Sequence, residues 1–224
     1  MFAGHIGVAL AAGRVEPRVN VGVLAGAALL LDVVLWLFVL IGWESVEIPP
    51  DFAATHQPAF VFPYSHGLLA GVTWSVLAGA AMLQWSRSRS GRSGRRLAVL
   101  TMAVVFSHWL LDALVHRPEL PLAGAASAVV GAGLWDHLTA ALAVEAALVA
   151  VGMALFFTAT RLSRARQLGL AALILLVAGF TVAGMTVAPP PPSAAAMAAS
   201  SLAVIALVCA LMGWLGRVPR AAVS

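Results

Sequence analysis

Three residues of one apolar stretch, His108, Asp112 and His116, follow one another at i, i+4 and i+8. On an α-helix that spacing sets them along one face, drifting about 40° per step. His108 and Asp112 stand one turn apart, near enough to share a metal ion or a hydrogen bond. Further ionisable groups fall in apolar surroundings: His5, Asp32, His66, and the group Asp136, His137 and Glu145. Imidazole and carboxylate together suit zinc, iron or manganese. Zinc is the default expectation, with manganese or iron fitting the same ligands. Such an ion lowers the pKa of a bound water towards ~7 and polarises a phosphoryl or acyl oxygen. An acid, Asp112 or Glu145, would then serve as general base for that water.

The elements that must position these groups follow from composition. Of 224 residues, 62% are hydrophobic and 10% are charged, against ~25% charged in soluble proteins. Mean hydropathy is +0.97. A soluble domain of this length could not hide so much apolar surface, and disorder needs the opposite composition. The single cysteine, Cys209, excludes an internal disulfide and reads as inert core. What remains is an all-α, polytopic membrane helix bundle. Stretches near 20–42, 66–85, 97–115, 168–187 and 194–215 approach the roughly 20 apolar residues of a spanning helix. A sixth, 131–160, carries Asp136, His137 and Glu145 in its first half and reads as a span starting at the outer interface. The segment 2–13 is too short to cross and reads as a half-helix covered by the bundle. The expectation is about six transmembrane helices plus this half-helix. Residues 1–160 hold the metal-site bundle, and 161–224 supply two further helices.

All basic residues are arginines, and all but Arg117 fall on one side of the spans. Arg14 and Arg18 precede the first span. Arg87, Arg89, Arg92, Arg95 and Arg96 fill one connection, and Arg161, Arg164 and Arg166 another. Arg217 and Arg220 follow the last span. That side is cytoplasmic by the positive-inside rule, which puts both termini inside. The arginines lie between apolar runs and so act as topology signals; no nucleic-acid partner is expected. Trp43, Trp85, Trp135 and Trp214 fall near span ends, as in an aromatic belt. Gly22/Gly26 and Gly67/Gly71 are small pairs that let helices approach closely. The prolines at 189–192 mark the outer turn between the last two spans.

A carboxylate at mid-helix in a bilayer costs ~2.5–3.5 kcal/mol on insertion scales, so each needs a partner or a task. Rising 1.5 Å per residue from the arginines, His108 stands about 18 Å up, Asp32 about 21 Å, and Asp112 and Glu145 about 24 Å. His66 is higher, at roughly 31 Å, and His5 lower, at roughly 13 Å. Tilt absorbs several ångströms, so the group converges on one level in the outer half of the bundle. A lone membrane histidine is commonly a packing residue, but this set shares its level with no intramembrane arginine or lysine. His56, beside Pro58 in a polar outer loop, reads as solvated, and Asp136 and His137 near the interface as hydrated.

The ordered strings Gly4-His5, Leu31-Asp32, Pro63-Tyr64-Ser65-His66-Gly67-Leu68 and Ser107-His108-Trp109-Leu110-Leu111-Asp112 resemble the bacterial membrane-bound metal-dependent hydrolases. Their order is also similar to the ligand order of zinc-dependent phospholipase C. The likeness covers roughly residues 1–145. It implies that Asp32, His66, His108 and Asp112 hold one metal, with His5 beside Asp112 at a second. A third at His116 and His137 would want Glu at position 141, which is alanine; Glu145 lies one turn later. The resemblance implies a multi-pass protein of the bacterial cytoplasmic membrane.

The leading expectation is therefore a metal-dependent hydrolase embedded in the membrane. Its substrate would be a phosphoester or ester of a lipid or lipid-linked molecule, entering sideways from the leaflet. The alternative is a small transporter or permease that passes metal or protons through the His/Asp cluster, though only one half-segment is present where such folds repeat the pair. A third is a scaffold stapled by metal.

Overall fold

The structure, a computed structural model, describes residues 1–87 and 94–217. Arg89, Arg92 and Arg220, three of the expected topology arginines, lie outside the described residues. In chain order the elements begin α1 (Phe2–Val15), α2 (Val21–Ala28), α3 (Leu30–Ile41), β1 (Ser45–Glu47), α4 (Phe52–Thr55) and β2 (Ala59–Val61). They continue α5 (Leu68–Arg87), α6 (Gly94–Val115), β3 (Leu120–Pro121), β4 (Val129–Val130), α7 (Leu138–Ala159), α8 (Arg164–Thr186) and α9 (Ala194–Leu215). Helices α5 to α9 are each long and apolar enough to cross a membrane, and α2 with α3 makes a sixth span when counted as one. The chain is thus an all-α helix bundle of the multi-pass membrane type. Two small antiparallel hairpins, β1–β2 and β3–β4, are its only sheet among the described residues.

The bundle is built from helix faces with a 3.6-residue repeat. On α6 the buried positions include Ala98, Thr101, Val105, His108, Asp112 and Val115, so His108 and Asp112 lie within the inward stripe. On α7 they are Ala141, Glu145, Val149, Gly152 and Phe156. α1 lies against that stripe, where Gly7 meets Gly152 so closely that a side chain on Gly152 would strike the Gly7 carbonyl. Of the glycine pair at 22 and 26, Gly22 packs against Cys209 and Gly213 of α9, while Gly26 has open space around it. Leu170 and Ile174 of α8 and Ile205 and Met212 of α9 share one apolar core with Leu24 and Leu31.

One end of the bundle gathers the arginines. Arg96 donates to the Val15 carbonyl at 2.7 Å, Arg166 to the Arg217 carbonyl at 2.6 Å, and Arg14 to Thr158 at 3.4 Å. The other end of α1 does not reach that face. Met1 is 7% exposed, and its nitrogen lies 3.4 Å from Asp112 Oδ1. α1 runs inward from Arg14 and, at 14 residues, is shorter than a span.

Two further differences bear on the site. The stretch 20–42 is not one rod: α2 and α3 meet at Leu29 with a bend of 56°. His66 does not open the second span; α5 begins at Leu68. His66 instead sits in a turn that Glu44 holds, its Oε1 accepting the Tyr64 N–H at 2.7 Å and the Ser65 N–H at 2.8 Å. Gly67 serves this turn, since a Cβ there would stand 2.8 Å from the Pro63 carbonyl oxygen.

Candidate metal centre

Three elements bring four polar side chains to one buried point. Asp32 comes from the first turn of α3, His66 from the turn before α5, and His108 and Asp112 from the inward stripe of α6. His66 Nε2 lies 3.1 Å from His108 Nε2, 3.4 Å from Asp112 Oδ2 and 3.6 Å from Asp32 Oδ1. His108 Nε2 lies 3.0 Å from Asp112 Oδ2 and 3.7 Å from Asp32 Oδ1. These separations average about 3.4 Å, and four ligands held tetrahedrally at ~2.0–2.1 Å from one ion stand ~3.3–3.4 Å apart.

The donor chemistry fits a cation as well as the distances do. His108 Nδ1 lies 2.7 Å from the Ala28 carbonyl oxygen, which can only accept. Nδ1 therefore carries the hydrogen, and in the neutral ring Nε2 presents a lone pair. That lone pair and the Asp32 and Asp112 carboxylates are acceptors converging in a buried space, an arrangement a cation relieves. The orientation of a ligating imidazole through its second nitrogen is the usual outer support of a metal ligand. His66 has its own, since its Nδ1 lies 2.9 Å from Ser65 Oγ. The second Ser-His pair is different: Ser107 donates to the Val104 carbonyl and not to His108.

His5 stacks face to face on His108, with ring centroids 3.7 Å apart. Its Nε2 lies 3.2 Å from Asp112 Oδ1, and its Nδ1 is buried without a partner. Asp112 thus turns Oδ2 to His66 and His108, and Oδ1 to His5 and the Met1 nitrogen. His5, Asp32 and His108 form one group able to hold an ion, and His66, His108 and Asp112 another. His116 sits at the edge: its Nε2 is 3.9 Å from Asp112 Oδ2, and its Nδ1 is 2.5 Å from Glu119. His137 is exposed at the start of α7 and belongs to neither group. Asp136 pairs with Arg117 at 2.7 Å on the surface.

Glu145 is 3% exposed, and its Oε2 accepts the Gly4 N–H at 3.1 Å. It thereby caps a helix N-terminus that has no cap of its own. It also lines a cavity of about 310 Å³, together with Asp32, His66, Asp112 and His116. Of the cluster carboxylates, Asp32 opens most to this space, with its side chain 21% exposed against 3% for Asp112. The far wall comes from α8 and α9, including Phe180, Met197 and Ile205.

Sequence reasoning missed three contributors. Nothing in the spacing of Glu44 signals that it captures the turn before His66. His56 is not a solvated loop residue: it is half-buried and lines the cavity. Trp135 is more than a belt residue, since its ring lies tilted against that of His116, centroids 4.1 Å apart, and lines the same cavity. A scan against models of protein families finds none that matches the chain, and no curated protein or solved structure is significantly similar to it.

Proposed function

We propose that this chain is an integral membrane metal-dependent hydrolase of the bacterial cytoplasmic membrane, acting on a phosphoester or ester bond of a lipid or lipid-linked substrate. The observation that carries the reading is the convergence of His66 and His108 on both Asp32 and Asp112, at 3.0–3.7 Å, beside a cavity that α8 and α9 line mainly with apolar side chains. A divalent ion, zinc by default and manganese or iron on the same ligands, would supply Lewis acidity and an acidified water. Asp32, His66, His108 and Asp112 would hold it, with His5 at the outer oxygen of Asp112. The resemblance to membrane-bound metal-dependent hydrolases agrees with this set.

Of the two acids expected as general base, Asp112 has both oxygens engaged by neighbours. Glu145 has one oxygen on Gly4 and faces the cavity, so the role falls to Glu145. It would take a proton from water as the water oxygen bonds to phosphorus or the acyl carbon, and return it to the leaving oxygen as the ester bond breaks.

The test is elemental analysis of detergent-purified protein joined to turnover of a lipid panel. Stoichiometric transition metal is expected in wild type and in Glu145→Gln, with turnover lost in the variant. Absence of metal, or full turnover by His108→Ala, overturns the reading. The break at Leu29 is the observation that favours a transporter instead, as discontinuous helices line such sites. Zinc uptake into proteoliposomes, abolished by Asp32→Asn, would decide for it.

A further inference from the structure

The cavity differs in chemistry from end to end. One part is lined by the polar cluster at Asp32 and His66, and another, from α8 and α9, mainly by Phe180, Met197, Val204 and Ile205, with Thr181, Ser200 and Ser201 among them. That second wall is not closed. Phe180 lines the cavity and is 58% exposed. Ser200, facing it from α9, is also both lining and exposed. Gly184 lines the gap and has nothing within 4 Å of where a Cβ would stand. Exposed lining residues on both helices thus leave the cavity open along α8 and α9. At about 310 Å³ the space is at the small end of ligand cavities, ~300–1,000 Å³. It holds a headgroup, while two long chains must remain outside.

Two cavity-lining residues also carry a ring nitrogen with nothing to bond. His56 Nδ1 and Trp135 Nε1 are both buried and unpartnered. His56 adopts φ 51°, and no other described residue except glycine has a positive φ. Left-handed backbone of this kind is unfavourable for a residue with a Cβ and tends to persist at functional sites. Gln57 donates to the Trp135 carbonyl at 3.2 Å and so ties the two loops together. The indole nitrogen can only donate, and the imidazole nitrogen donates in one tautomer. Their natural partner is an acceptor with several oxygens.

We propose that this cavity holds the phosphate head of a long-chain amphiphile, received by His56 Nδ1 and the indole N–H of Trp135, with its chain leaving between α8 and α9 past Phe180 and Gly184. This rests on the hydrolase reading for its purpose, but not for its measurement. The test is binding to purified, zinc-incubated protein in detergent, with three probes: dioleoyl phosphatidic acid, dioleoylglycerol and inorganic phosphate. Phosphatidic acid should bind best. His56→Ala and Trp135→Phe should each weaken it about tenfold while leaving dioleoylglycerol unchanged. Gly184→Trp, or Ser200→Trp if the first variant fails to fold, should block the gap and weaken both lipids tenfold or more. Thermal unfolding in detergent, unchanged in every variant, reports that each is folded. Unaltered phosphatidic acid binding in the blocked and donor variants overturns the proposal, as does phosphate binding as tightly as the lipid. Phosphatidic acid that binds as expected to a protein retaining no zinc, or turning nothing over, supports this site and defeats the hydrolase reading alone.

Discussion

Replacing His108 by alanine tests the centre at its most connected ligand. Its Nε2 is the atom that stands 3.0 Å from Asp112, 3.1 Å from His66 and 3.7 Å from Asp32. An average separation of about 3.4 Å in this set corresponds to a metal–ligand distance of ~2.1 Å in a tetrahedron. X-ray absorption on zinc-loaded wild type should therefore show a nitrogen/oxygen shell near ~2.0–2.1 Å, without sulfur and with imidazole scattering. Loss of an outer supporting partner alone costs ~10–100-fold in metal affinity, so loss of the ligand should cost ~100-fold or more. The same change strips the Ala28 carbonyl of its partner, a further ~1–3 kcal/mol of stability, so thermal unfolding must be followed alongside. A stably folded His108→Ala protein with wild-type zinc content and an unchanged imidazole signal would refute the assignment. So would a wild-type shell of six oxygens with no imidazole.

The two Ser-His pairs give an internal contrast. Ser65→Ala should weaken zinc binding by ~10–100-fold, because Ser65 orients His66, whereas Ser107→Ala should leave zinc titrations unchanged, because Ser107 bonds only Val104. Glu145→Gln keeps an acceptor for Gly4 and should unfold at the wild-type temperature, while Glu145→Ala leaves that N–H unpaired and should lose ~1–3 kcal/mol in a detergent unfolding assay. Glu44, outside the spans, has its carboxyl pushed above the ordinary glutamate range by burial. The folded turn therefore binds that proton more tightly than the unfolded chain. Its contribution is full below the ordinary range and falls as pH rises through the raised value. Thermal unfolding of Glu44→Gln from acid to neutral pH should lack that decline.

Much of this was legible in the sequence because it is periodic or compositional. The i, i+4 spacing of His108 and Asp112 places them on one face whatever surrounds the helix, and a run of apolar residues announces a span by length. The break at Leu29 is of another kind. No proline or glycine marks it within the run from Ala27 to Ile41, and the carbonyl it frees is taken by His108, 80 residues away in sequence. The turn at His66 is likewise held by a partner 21 residues distant, Glu44. Depth counting put His66 too high because it assumed that α5 carried the residue, whereas Pro63 and Gly67 fold the chain into a turn before the helix begins. His56 and Trp135 were misplaced for the same reason: loops acquire their burial from the bundle, and local composition does not report it.

The irregular helices and the polar cluster explain one another. A helix end within hydrocarbon leaves backbone donors and acceptors that no water satisfies, each costing several kcal/mol. Here α1 begins inside the bundle, and Glu145 of α7 takes the Gly4 N–H. α2 ends inside it, and His108 of α6 gives its Nδ1–H to the Ala28 carbonyl. A continuous α2–α3 rod would carry Ala28 within its own ladder and leave His108 Nδ1 without that acceptor. The bend instead fixes the ring with its lone pair inward and brings Asp32, on the first turn of α3, within 3.7 Å of it. The α2 end that would be a liability in a bilayer thus becomes the outer support of His108, and the α1 end is bonded by the cavity-lining Glu145. This is why removing a cluster side chain should cost stability as well as metal, and why conservative replacements that retain the hydrogen bond can separate the two.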